Sequence, residues 1–474
     1  MTDIHQLEKL RPLGTLEQVS ASCHHLGFFS NVGLSAQYKR SESPSPAVTD
    51  LRGLIHAAAG DVVRKHRIFF AIPVNEGAPN PYFACLPSID LSQTITFIDR
   101  SQPSAGTEGD DKELDAVLED QHNTDFKADY GTLPFWRLVI LQSSGGNEFT
   151  ASFIYHHAIG DGVSGLAFHN AFRTALEAAS ASSLPDYETE NIITPDGNTS
   201  VLPPLDELHP LPINPTPPPP PTTNLKEWTG SIINVPCMSR WASFYLSPSA
   251  SKAFVQECKE RKLSVTSALS SIIATVLFRN LPSSVEALTC IIPVSLRPWL
   301  KLSREVAHNA IGTYFDATRV QFTRADQTSR DSSVVDVWSG AQHVSNSIND
   351  YLGNVSPSGE PYTSVAVFNT IPDVSVVFNS LLGKPRDAAF EVTNVGLFSP
   401  ATTSQTAEDA RWQVGNVLLS RSSAVPGAAV TASVVTGGNG VMALGFSWQE
   451  GVVENGLIDN VRQGVRKYFE KYQY

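Results

Sequence analysis

At 474 residues the chain is too long for one ordinary core and long enough for two domains of about 200 residues, and its 41% hydrophobic and 17% charged residues are ordinary for a soluble globular protein. The net charge of −13 argues against wrapping a nucleic-acid backbone, which needs a basic face; a small anionic ligand held by one local basic patch remains open. Five cysteines, Cys23, Cys85, Cys237, Cys258 and Cys290, are odd in number and form no C-x-x-C pair. They read as reduced, mostly buried thiols of a cytoplasmic protein, with one disulfide plus a free thiol as the alternative. The opening "MTDIHQLEKLRPLG" lacks an apolar signal core, and no run of about 18 apolar residues occurs, so no transmembrane segment is expected.

In chain order, "FWRLVILQ" and "EFTASFIYHH" read as strands joined by a hairpin turn at "SSGGN". The second strand runs into His156 and His157. After "AIGDG", the apolar residues Leu166, Phe168, Phe172, Leu176 and Ala179 recur at helical spacing. Asp161 stands close enough to that helix to cap it, and Gly162 lets the backbone reverse. From Thr194 to Thr223 proline is so dense that an extended connector is expected, the "PPPPP" run included. Beyond it, "SRWASFYLS" is a strand, "PSASKAFVQECKERK" and "LSVTSALSSIIATVLFRNL" are helices, and "EALTCIIPVSLRPWL" is a strand ending at Arg297-Pro298. "AAFEVTNVGLF" and "RWQVGNVLLS" are strands, residues 428–453 hold a hairpin turning at "TGGNG", and "LIDNVRQGVRKYFEKY" is a closing amphipathic helix. Strands and helices alternate in both halves, giving an α/β chain with a mixed sheet in each half. The boundaries fall at 1–193, a proline-rich linker over 194–228, and 229–474.

The pair His156-His157 admits three readings. It can be a structural turn. It can hold a metal, although adjacent residues on a strand point to opposite faces and no H-E-x-x-H or Cys/His cluster adds ligands, so no metal is expected. It can supply a general base, because a strand end presents one imidazole beyond the sheet and neutral imidazole accepts a proton near neutral pH. A buried Asp161 would need a cationic partner.

"HHAIGDG" matches H-H-x-x-x-D-G and so resembles the CoA-dependent acyltransferase superfamily of chloramphenicol acetyltransferase, plant acyltransferases and peptide-synthetase condensation domains. "LRPLGTLEQVSASCHHLGFF", "VLPPLDEL", "IPVSLRPWL", "NAIGTYF" and "LGFSWQEGVV" resemble the fungal alcohol acetyltransferase branch, from about Arg11 to the end. The plant D-F-G-W-G motif is absent. The resemblance implies two chloramphenicol acetyltransferase-like lobes with an active-site tunnel between them, entered by acyl-CoA from one face and by the acceptor from the other. It implies that His157 is the general base and that Asp161 pairs with Arg297, although Ser295 stands where many relatives carry asparagine.

The reaction so implied is direct acetyl (or other short acyl) transfer from acyl-CoA to an alcohol, with no bound cofactor. Thr393 and Asn394 are candidate oxyanion donors, or strand polar residues satisfied by neighbours, and His156 joins them as a tunnel residue through the motif alone. Lys301 and Arg304, next to Arg297, either greet the CoA phosphates or form a solvated basic face. The second pair, His24-His25, has no Asp-Gly behind it and reads as structural. No G-x-S-x-G elbow supports a nucleophilic mechanism. The alternatives are transfer onto a complex secondary metabolite or from a carrier-protein thioester, and a non-catalytic scaffold of the same fold; a monomer is the usual form.

Overall fold

A computed structural model describes residues 3–41, 50–104, 106–143, 147–181, 191–216, 224–324, 336–399 and 411–472. Two mixed sheets dominate. The first runs, in spatial order, Trp412–Arg421, Val32–Arg40, Glu148–Tyr155, Trp136–Gln142 and Ile95–Asp99. The second runs Ser239–Leu246, Met442–Gln449, Ala428–Thr436, Ala388–Leu397, Ala287–Ser295 and Phe315–Thr323. Each combines antiparallel with parallel pairs, and each has its own apolar core.

The strands form where β-branched and aromatic residues cluster. Helix Val265–Asn280 is buried nearly all round, with Ser267, Ser270, Ser271 and Thr275 enclosed beside its apolar residues, because it lies inside the second core. Among the described residues no single helix is long and apolar enough to cross a membrane. All five cysteines are free, and burial raises the thiol pKa of Cys23 and Cys237 to about 12 and about 11.

Four features differ from the sequence reading. The strand "RWQVGNVLLS" leaves the second half and pairs antiparallel with Val32–Arg40, setting Leu419 opposite Leu34. A cut at 194–228 therefore separates the two sheets only in part. The strand carrying "FIYHH" stops at Tyr155. His156 N–H donates to Phe135 O at 2.9 Å and Ile159 N–H to His156 O at 3.0 Å, so both histidines sit in a turn rather than alternating across a strand. Likewise the strand from Ala287 ends at Ser295, and Arg297 opens a single helical turn. The proline-rich connector contains a short helix, Leu205–Leu208, entered through Pro204. Proline is tolerated at a helix start, where its missing N–H has no partner to lose. Leu205, Leu208 and Leu211 pack with Leu16, Leu296, Leu300 and Tyr314, so the connector is a strap docked on both halves. The "PPPPP" run and the centre of the "SSGGN" turn lie outside the described residues.

Candidate active site

The strand Glu148–Tyr155 and the helix Gly162–Ala181 are joined by the turn 156–161. The helix opens with Asp161 as its cap: Ser164 N–H donates to Asp161 Oδ1 at 3.1 Å. Gly162 is required by space, since a Cβ there would meet Val395 Cγ1 at 2.7 Å.

Asp161 is 4% exposed and is gripped from the second half of the chain. Arg297 Nη1 donates to Oδ2 at 2.6 Å and Nη2 to Oδ1 at 2.9 Å, a two-pronged pair. Tyr314 N–H adds a bond to Oδ2 at 3.0 Å. Burial disfavours the carboxylate, but the Arg297 charge and these donors outweigh it and hold its pKa below the usual aspartate value. The segment "GTY" lies along the whole turn: Asp161 N–H reaches Gly312 O at 3.1 Å, and Thr313 Oγ1 donates to His157 O at 2.9 Å.

His157 is half-buried, between Phe29 (ring centroids 5.6 Å apart) and Phe315 (5.4 Å, stacked at 23°). Its Nδ1 lies 3.0 Å from Gly160 O. A carbonyl only accepts, so Nδ1 carries the proton and Nε2 keeps its lone pair. Burial lowers the His157 pKa, and the Arg421 cation lowers it further, against the opposing pull of Asp161. Arg421 comes from the strand that crosses to the first sheet. It lies 5.0 Å over Phe29 and pairs with Glu391 at 2.6 Å.

The predicted oxyanion donors part company. Phe390 and Val392 face the second core, so the pleat turns Glu391 and Thr393 to the opposite face. Thr393 Oγ1 donates to Glu391 and joins the Arg421 pair, whereas Asn394 Nδ2 donates to Thr266 Oγ1 at 3.1 Å on the helix side. Lys301 and Arg304 are exposed on the turn and short helix after Arg297. His156 is 1% exposed and packs against Phe135 and His24 rather than beside His157's ring neighbours. Glu391 and Arg421 belong to no sequence motif. Thr313 and Tyr314 lie inside "NAIGTYF", a stretch legible as a whole but not residue by residue.

Fold and loop together define the two-lobed acyltransferase and condensation-domain class. Trichothecene 15-O-acetyltransferase from Fusarium sporotrichioides superposes with a TM-score of 0.69 at 12% identity, over 98% of this chain and 94% of that one. The first condensation domain of the CDA synthetase does so at 0.60 and 13%, over 98% and 96%. At such identities the likeness concerns the fold alone. The alcohol acetyltransferase family model matches residues 12–216. The probable alcohol acetyltransferase crmB of Aspergillus fumigatus is 73% identical over 97% of this chain and 99% of its own length, and the probable alcohol acetyltransferase FCK4 of Fusarium pseudograminearum is 20% identical over 97% and 94%. The chain belongs to the alcohol acetyltransferase family, and it is an acyltransferase.

Buried histidines make the fold acid-sensitive. Burial lowers the pKa of His156 and His169 to about 4 and of His122 to about 3. Each binds its proton more weakly folded than unfolded, so its contribution is complete above about pH 6.5 and is lost as pH falls toward the folded value, at about 1.4 kcal/mol per pH unit per histidine. Glu76, which burial pushes up but His156 and His24 hold at about 2, acts with the same sign lower down, and Asp115, raised by burial, opposes it only near the carboxylate range. Thermal melts should show a flat Tm from pH 8 to 7 and a steep fall from 6.5 to 4.5; a Tm that rises on acidification would contradict the assignment.

Proposed function

We propose that the protein is an acyl-CoA:alcohol O-acyltransferase, using acetyl or another short acyl group, with His157 as general base and no acyl-enzyme. The observation that carries this is the Nδ1–Gly160 bond, which leaves Nε2 as the free lone pair on a half-buried ring. Nε2 takes the hydroxyl proton of the acceptor as its oxygen forms the C–O bond at the thioester carbonyl. The tetrahedral oxyanion collapses with cleavage of C–S, and the imidazolium returns the proton to the CoA sulfur. The lowered pKa keeps the ring neutral and ready. Thr393 serves the oxyanion if its hydroxyl turns from Glu391; Asn394 donates away from that face. Exposed Lys301 and Arg304 are proposed to meet the CoA phosphates. Free cysteines suit a reducing compartment, and we place the enzyme in the cytoplasm.

The test is direct. Acetyl-CoA and a panel of alcohols and amines are supplied, thiol release is followed, and the ester is identified by mass. Alcohol-dependent thiol release with one ester per thiol is the expected result. Faster transfer from an acetylated carrier protein would move the donor assignment to the carrier, and thiol release without ester would remove the transferase reading.

A further inference from the structure

Among the buried titratable groups that the mechanism leaves unused, Glu76 stands nearest in contact to the His156-His157 turn. Glu76, in the turn Asn75–Gly77, has a side chain only 9% accessible, and it is enclosed by two histidines. His24, at the end of helix Thr15–His25, places Nδ1 at 2.9 Å from Oε2. His156 places Nε2 at 3.4 Å from Oε1, a charge contact without hydrogen-bond geometry, and no other group accepts from that nitrogen. The remaining ring nitrogens are spoken for: Phe126 N–H donates to His24 Nε2 at 3.1 Å, and Ala158 N–H donates to His156 Nδ1 at 3.0 Å. Each imidazole therefore accepts at one nitrogen and carries its proton on the nitrogen that faces Glu76.

That proton placement decides what the cluster can do. The three groups are close enough to hold a cation. A metal would need lone pairs on His24 Nδ1 and His156 Nε2, and the backbone N–H groups already require the lone pairs on the opposite nitrogens. Neutral imidazole has only one to give. The cluster is a relay centred on the carboxylate, with a hydrogen bond to His24 on one side and a charge contact to His156 on the other, not a metal site.

Its output is the backbone around His157. The ring of His156 reaches across residue 157 to the N–H of Ala158, closing a small loop with His157 inside it. This closure exists only in the Nε2–H tautomer of His156, and the carboxylate that favours that tautomer belongs to Glu76. We propose that Glu76 is a positioning residue for His157, acting through the tautomer of His156 and buttressed by His24. The proposal rests on the reading of His157 as general base. In support, Glu76 is held ionised to about pH 2 and His156 neutral down to about pH 4, so that pair keeps one protonation state over the working range. The second His-His pair thereby divides its roles, with His24 bracing the acid while His25 stays exposed.

The test compares E76Q, H156N and the double variant. An asparagine at 156 offers its amide oxygen near the place of Nδ1 and can accept from Ala158 N–H without any tautomer to select. With acetyl-CoA and the best alcohol, E76Q should lower kcat by about 10–100-fold through misplacement of the base, with KM for acetyl-CoA within about twofold. On the H156N background the same E76Q change should cost less than about threefold. Nitrogen-15 spectra of histidine-labelled protein should show His156 as Nε2–H in the parent and a shifted tautomer population in E76Q. Equal losses from E76Q on both backgrounds, or an unchanged tautomer, would overturn the proposal. If E76Q does not fold, the H156N pair and the parent spectrum decide: H156N/E76Q as active as H156N supports the relay, and Nδ1–H on His156 in the parent refutes it. An active H157A would instead remove the general-base reading, whatever E76Q does.

Discussion

His157→Ala should reduce kcat by about 10²–10⁴-fold, the usual share of a positioned base, while circular dichroism and Tm stay close to the parent. The ring is half-buried and its one polar bond is to the Gly160 carbonyl of its own turn, so its removal leaves no buried charge behind. The turn keeps its other ties, through Thr313 to His157 O and through Arg297 to Asp161. A loss confined to KM would assign His157 to substrate binding, and a large fall in Tm would make it structural. Retained turnover would remove it from the chemistry.

Arg297→Ala and Asp161→Ala should each destabilise the fold by about 3–5 kcal/mol, and activity should fall with stability. Both side chains are 6% accessible, and either truncation strands the partner's charge. Loss of the Asp161 carboxylate also leaves Tyr314 N–H without that acceptor, while Ser164 N–H keeps its bond to the carbonyl of residue 161. Denaturant unfolding measures the cost. Asp161→Asn is the sharper experiment, because it keeps the shape and removes the charge; if it proved harmless to both stability and turnover, the pair would not be what fastens the loop. Arg297→Lys should rescue little, since an ammonium cannot make two parallel bonds to one carboxylate.

Much of this site could be read from local pattern. The apolar run before His156, the turn residues Gly160 to Gly162 and the helical spacing after them set a strand, a turn and a helix, because each of those preferences acts over a few residues. The same local logic overextended one strand. Nothing in "FIYHH" by itself says that a backbone bond from Ile159 to His156 stops it at Tyr155.

The sequence by itself determined the alternating elements, the motif that carries His157 and Asp161, the likeness that proposed Arg297 as partner, and the proline-rich connector between the halves. All of these depend on residue type and short spacing. Only the tertiary structure decided that Trp412–Arg421 crosses to the first sheet and brings Arg421 toward His157, that Asn394 meets Thr266, and that Glu76 joins His24 to His156. Those are pairings between residues tens to hundreds of positions apart. Strand pairing follows from which apolar faces must meet, and hydrogen bonds between buried polar groups from what the packed backbone brings within reach, so neither leaves a mark in local spacing.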